Sequence, residues 1–292
     1  MPHRTVKALH AAQRDDIGDL VTRRPLPGPG LDQVDPFLFL NHHGPQTYPP
    51  GNHGLPFGPH PHRGFETVTF ILKGSLAHHD SGGHESVIEA GGVQWMTAGS
   101  GLVHAEVSPE DFKRAGGDLE ILQLWLNLPG RLKMTAPAYT GLQRADIPAL
   151  AGDGGRATVN LIAGEYQGKA GPFRPLTGVF MSIVELAAGG RAVLPAPAGR
   201  SVFLYVVRGA VRIAGTAAGG TAAGGTEVGG FRLVELNDDG DSVALEATGD
   251  AAVLFGHADP IGEPVVSYGP FVMNSREEIE QAVLDYRAGR FG

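Results

Sequence analysis

Cysteine is absent from all 292 residues. That absence excludes disulfides, thiolate zinc sites, iron–sulfur clusters and cysteine nucleophiles. Positive charge is also sparse: 23 Lys and Arg stand against 31 Asp and Glu, giving a formal net charge of −8 and a sequence pI near 5.8. No basic run is longer than Arg23-Arg24, so the chain lacks the broad phosphate-binding surface of a nucleic-acid protein and no direct nucleic-acid partner is expected. Long apolar runs are missing as well. Val202 to Val207 is among the longest, far short of the ~20 residues that span a bilayer, and the opening Met-Pro-His-Arg-Thr-Val-Lys never develops an apolar signal region. The expectation is a cytoplasmic protein without a membrane partner.

What the chain does have is turn chemistry and histidine. Forty-four glycines and 22 prolines suit many short strands joined by tight turns, and 42% hydrophobic content over this length can bury a large core, most naturally in two domains. A diverged internal copy supports two. Gly54, His60, His62 and Gly74 are spaced 6, 2 and 12 apart, and Gly189, Pro195, Pro197 and Gly209 repeat those spacings 135 residues later. The strands that follow correspond, with Val68-Thr-Phe-Ile-Leu-Lys-Gly74 mirrored by Phe203-Leu-Tyr-Val-Val-Arg-Gly209. The small-residue stretch Ala149 to Gly155 lacks apolar periodicity, which places the boundary near 145: an N-terminal metal-binding barrel over 1–145 and a C-terminal barrel over 146–292 that lacks the ligands.

Two further segments are distinctive. Thr216-Ala-Ala-Gly-Gly recurs as Thr221-Ala-Ala-Gly-Gly225 and reads as a flexible hairpin insertion; no Gly-Lys-Ser/Thr follows, which argues against a phosphate loop. Ser275-Arg-Glu-Glu278 is a capping box ahead of an apolar stripe at Ile279, Val283 and Tyr286, with Gly289 as the stop of a short C-terminal helix.

Nine of the twelve histidines fall between positions 42 and 104, so the chemistry is expected in the first third. His60-Pro-His62 is answered 42 positions later by His104-Ala-Glu106. On a strand, residues two apart share a face about 6.6 Å apart, close enough for both histidines to reach one ion at roughly 2.1 Å, and His104 with Glu106 repeats the arrangement. Glycines at 91, 92, 99 and 101 bracket Gln94 to Ala98 as turns that would return His104 to the first pair. Three neutral imidazoles and a carboxylate leave two open positions in octahedral geometry, which points to catalysis or small-molecule binding by a divalent iron, manganese, nickel, copper or zinc ion. The other histidines read as pocket lining or surface, with His42, His43 and His53 near a pocket mouth, only one of His78 and His79 inward, and His257 bland. Phe57 and Trp95 are aromatic candidates to neighbour a planar ligand, with core packing on an alternating strand an equal reading of Trp95.

The two cupin motifs are recognisable in Gly54, His60, His62 and Glu66, and in Gly101 and His104, with Gly99 in place of the usual proline. More closely, Asp35-Pro-Phe-Leu-Phe-Leu-Asn41, His60-Pro-His-Arg-Gly-Phe-Glu-Thr-Val68, Gln94-Trp-Met-Thr-Ala-Gly99, His104-Ala-Glu106 and Leu122-Gln-Leu-Trp125 resemble the pirin family of bicupins, from about Arg4 to the C-terminal helix. The resemblance implies an all-β fold of two tandem cupin (double-stranded β-helix or jelly-roll) barrels. It implies a ligand set of His60, His62, His104 and Glu106, and iron as the metal. The general cupin pattern would instead use Glu66; spacing favours Glu106, which shares a face with His104, and leaves Glu66 as an outer group, for example paired with Arg63.

The resemblance also implies a flavonol dioxygenase acting on quercetin with O2, with Glu106 as ligand and candidate base and Glu66 as the alternative base. Pirins resemble, alternatively, non-catalytic iron-dependent regulators that bind a protein partner. A purely structural zinc is a third reading, disfavoured because such sites are usually closed and often contain sulfur.

Overall fold

The computed structural model describes residues 2–214 and 225–292. The tandem pentapeptide at 216–225 therefore falls almost wholly outside the described residues. The chain is built mainly of strands and forms two cupin domains. One compact unit holds residues 14–24, 37–146 and 261–292, the other 1–13, 25–36 and 147–260. The C-terminal helix, which the sequence attaches to the second barrel, thus belongs to the unit that carries the histidine cluster.

In that first unit one sheet runs in the order Ala138–Leu142, Val93–Thr97, Phe65–Lys73, Gly117–Asn127, Phe37–Tyr48, and a second in the order Phe57–His62, Leu102–Val107, Ser75–Asp80, Glu85–Glu89, all antiparallel. The other unit repeats the scheme. Its large sheet places Arg232–Leu236, Ser201–Arg208, Ala251–Ala258 and Phe180–Leu186 side by side, and its small sheet runs Arg191–Pro195, Ser242–Ala247, Ala210–Ile213, Thr226–Gly229. Leu194, Val211, Val243 and Leu245 from the small sheet bury against Val184, Leu204, Val206 and Phe255 from the large one, which is how two one-sided sheets exclude water from both inner faces. Gly74 and Gly209, matched in the repeat, both turn at positive φ (80° and 74°), and a Cβ there would sit 2.7 Å and 2.1 Å from the Asp118 and Asp250 carbonyl oxygens. This shared close approach explains why the duplication kept glycine.

The proline correspondence needs correction. In the strand Arg191–Pro195 the buried positions are Ala192 and Leu194, followed by Ala196, whereas Val193 is 53% exposed and Pro195 only partly covered. Strand side chains alternate faces, so Pro195 and Pro197 lie out of phase with the interior, and the inward positions are aliphatic. Spacing alone aligned the wrong face.

The segment after His62 is anchored by long-range bonds. Arg63 donates from Nε to the Ser100 carbonyl (2.6 Å) and from Nη1 to Asp285 of the C-terminal helix (2.7 Å), and its guanidinium lies 4.5 Å over the Phe291 ring. It pairs with Asp285, not with Glu66. The helix Arg276–Arg287 begins with the expected capping box, in which Glu278 N donates to Ser275 Oγ and Ser275 N to the Glu278 carboxylate. Its buried residues are Ile279, Ala282 and Asp285, so the apolar stripe is narrower than the sequence suggests, with Tyr286 41% exposed. Lys133 is buried and donates to the Gly64 carbonyl (2.9 Å), Asn127 Oδ1 (2.6 Å) and the Val272 carbonyl (3.0 Å).

Gly64 itself has φ +89°, and a Cβ would meet the Val272 oxygen at 2.0 Å. Gly64→Ala is expected to lower unfolding stability by on the order of 3 kcal/mol, measured by urea denaturation, through combined backbone strain and separation of the C-terminal segment from the histidine strand. An unchanged midpoint would show that the segment gives way freely.

Candidate metal centre

The two strands bearing the predicted ligands pair directly. His104 stands opposite His60 in the antiparallel ladder, Val103 opposite Pro61 and Leu102 opposite His62, and the register shifts between His104 and Glu106. His60 and His62 share one face of their strand, so all three imidazoles meet. Their ring centroids are 4.8 Å (His60 to His62), 4.5 Å (His60 to His104) and 5.0 Å (His62 to His104) apart, and one ring nitrogen from each lies within 4.8 Å of the others.

The hydrogen bonds orient the rings. His60 Nδ1 is 2.7 Å from the Gly58 carbonyl and His62 Nδ1 is 3.3 Å from the Pro270 carbonyl. A carbonyl only accepts, so in both rings Nδ1 carries the hydrogen and Nε2 keeps its lone pair. His104 is buried with neither ring nitrogen hydrogen-bonded, an arrangement that costs free energy unless something else satisfies it. Burial, reinforced by the neighbouring His60, pushes His62 down to about 3, and burial first and His62 second hold His104 well below the usual histidine range. Burial keeps His62 and His104 neutral, and one nitrogen of each gathers with one of His60 within 4.8 Å, so the donor set fits a divalent metal ion.

Glu106 stands apart from that cluster of nitrogens. Its carboxylate is buried, accepts from the Thr69 hydroxyl (2.8 Å) and the Gln94 amide, and helps line the same cavity as His60 and His62. Burial pushes its carboxyl up to about 7, against the lowering effect of bonds from Thr69, Gln94 and Gln123. Tyr139 in turn donates to Gln94 Oε1 (3.1 Å), so the carboxylate is held by a chain of polar groups rather than by one contact. Glu66 lies elsewhere: it accepts from Thr97 (2.7 Å), is likewise pushed by burial to about 7, and does not line the cavity.

The cavity has a volume of about 290 Å³, near the lower end of the small-molecule range of ~300 Å³ upward. Phe57 lines it as expected. Trp95 does not; it is buried beside Glu66, and the tryptophan in the wall is Trp125, stacked on Phe39 (4.7 Å) and edge-on to His62 (5.3 Å). Trp125 is legible only from strand parity, since Gln123 and Trp125 alternate with Leu124 on a strand buried on both faces. Of the other histidines, His43 lines the cavity and is within 2.9 Å of Thr22 Oγ1, and His42 pairs with buried Glu120 (3.1 Å). His78 is inward, 2.9 Å from Asp80 and stacked on Tyr139 at 4.0 Å, while His79 is exposed. His257 is buried and stacked on Phe180 (4.8 Å).

Two seven- and four-stranded sheet sets with a histidine cluster in one define a bicupin. The family models extend this to the sequence: the Pirin model matches residues 19–126 and the Pirin C-terminal cupin domain matches residues 181–292. The chain belongs to the pirin family. It is 40% identical to a pirin-like protein of Caulobacter vibrioides over 296 residues, covering all of both chains, and 36% identical to Pirin of Rattus norvegicus over 291 residues, covering 99% of this chain and 93% of that one. Among solved structures it is similar to quercetin 2,3-dioxygenase from Acinetobacter baumannii, with a TM-score of 0.90, 33% identity and 99% of each chain covered.

The raised Glu66 carboxyl gives a signed expectation for the metal-free protein. Unfolded, it releases its proton near 4.5; folded, near 7, so between those values the native state binds more protons and its stability falls as pH rises. Glu66→Gln removes that slope. The variant should therefore gain stability relative to wild type from pH 5 to 7 in thermal melts of metal-free protein; a constant difference would mean Glu66 does not titrate there.

Proposed function

We propose that the protein is a metal-dependent dioxygenase of the pirin type, cleaving a flavonol such as quercetin with O2. Three clustered imidazoles, two of them lining an aromatic-walled cavity, carry the reading, and the likeness to a quercetin dioxygenase of 33% identity supports it. His60, His62 and His104 would hold the metal, with Glu106 as the fourth ligand, and Fe(II) is the ion assigned, on the family resemblance. Manganese, nickel, copper and zinc share the same nitrogen and oxygen preference.

Bound there, the metal supplies Lewis-acid and one-electron chemistry for the reaction of a hydroxyketone with dioxygen. The chain supplies the rest. Phe39, Phe57 and Trp125 receive a planar ring system and exclude water from it. Glu106 would take the proton of the substrate hydroxyl on its carboxylate, and Thr69 and Gln94, which donate hydrogen bonds to it, hold that carboxylate in the cavity wall. Cleavage of the two ring carbon–carbon bonds that flank the hydroxyl-bearing carbon would then release that carbon, with its own oxygen, as carbon monoxide, both atoms of O2 remaining on the flanking carbons of the product.

Iron-loaded protein incubated aerobically with quercetin should release carbon monoxide as the flavonol absorbance falls, and the double variant His60→Ala/His104→Ala should lose at least ~100-fold of that rate. Equal rates in the two proteins would remove the enzyme reading and leave an iron-dependent regulator with a protein partner as the alternative.

A further inference from the structure

One polar group in the cavity wall has no part in holding a metal. Arg24 lines the cavity together with Asn41, on the same wall as Phe39 and Trp125. Its guanidinium carbon lies 4.9 Å over the Phe39 ring, Phe39 stacks on Trp125 at 4.7 Å, and Trp125 meets His62 at 5.3 Å. The wall is thus a continuous file of three rings that begins at a candidate ligand and ends at a fixed positive charge.

The guanidinium is held rather than free to swing. Nε donates to Asn41 Oδ1 (3.0 Å) and Nη2 forms an ion pair with Asp15 (2.7 Å), while stacking on Phe39 fixes its plane. Neither bond uses Nη1. A planar fork with donors to spare, preorganised at an aromatic surface, recognises a carboxylate or phenolate better than a neutral ring edge. Beside Asn41, His43 and Gln123, whose side chains are uncharged or hydrogen-bonded within the fold, Ile17, Leu55, Leu76 and Ile121 make much of the remaining lining apolar, and Arg24 is its one guanidinium.

We propose that Arg24 is a specificity-determining residue, which selects planar hydroxyketones carrying a second, acidic group at the end remote from the chelating pair. Chelation at the histidines fixes one end, the rings of Trp125 and Phe39 carry the middle, and Arg24 binds the anionic end. This rests on the dioxygenase reading for the chelated end only; the anionic end is read from Arg24 itself.

The test compares two probes on metal-loaded protein: 3-hydroxyflavone, which has the chelating pair alone, and 3-hydroxyflavone-4′-carboxylate. Binding is followed by quenching of intrinsic fluorescence, for which Trp125 in the wall is the reporter; the chain has only two tryptophans. Wild type should bind the carboxylate about tenfold more tightly than the parent, since one charge-assisted pair of hydrogen bonds is worth roughly that factor. In Arg24→Gln the ratio should fall to near one, and Arg24→Lys should recover part of it, which separates loss of the anion contact from loss of the fold. An unchanged ratio in Arg24→Gln, or a wild-type ratio of one, overturns the proposal. Repeating the titration after chelation of the metal distinguishes the two readings: a carboxylate preference that persists undiminished without metal and vanishes in Arg24→Gln keeps the anchor and removes the chelated end, loss of both probes on chelation supports the chelated end, and binding of neither probe to metal-loaded wild type removes both.

Discussion

The register between Phe57–His62 and Leu102–Val107 is the constraint on which the site depends. It sets His60 opposite His104, and a slip of one residue would turn every side chain on the moving strand to the other face. With the register held, the His60 and His62 rings and the His104 ring, 42 positions beyond His62 in the chain, close to within 5.0 Å of one another. The cost of burying His104 without hydrogen bonds is then built into the fold before any ion arrives, and neighbouring imidazoles oppose protonation that would quench the lone pairs.

The register is in turn held from the C-terminus. Arg63 and Gly64 follow directly on His62, and through Asp285, Phe291, Lys133 and the Val272 carbonyl they tie the histidine strand to the last segment of the chain. His62 depends on the same segment, since its Nδ1 is oriented by Pro270. The string His-Pro-His-Arg-Gly-Phe therefore encodes two things at once: imidazoles that line the cavity and anchors that tie the strand to the C-terminal segment.

Much of this was legible in the sequence. Strand periodicity two puts His60 with His62, the repeat of glycine spacings announces the duplication, and Ser275 to Glu278 reads directly as a helix start, because each depends on near neighbours. What was not legible depends on distant pairing. Arg63 meets Asp285 across 222 positions, so Glu66 looked like its partner. Trp95 sits on a strand whose five residues are all buried, where no alternation reveals which side meets the cavity, whereas Trp125 shares the half-buried parity of Gln123 and lines it. The prolines at 195 and 197 matched in spacing but not in face. The duplication also shows where spacing cannot: Phe39 pairs with and stacks on Trp125, and Phe180 pairs with and stacks on His257, so the second unit keeps a stacked cross-strand pair while aliphatic Leu194 and Ala196 pack into its core.

The central claim is that His60, His62 and His104 share one ion. X-ray absorption spectroscopy of protein loaded with a single equivalent of iron tests it most directly. The account requires a first shell of nitrogen and oxygen with about three imidazoles at ~2.1 Å, reduced by one in each of the three single alanine variants. A spectrum unaltered by those substitutions, or one without imidazole scattering, would contradict it.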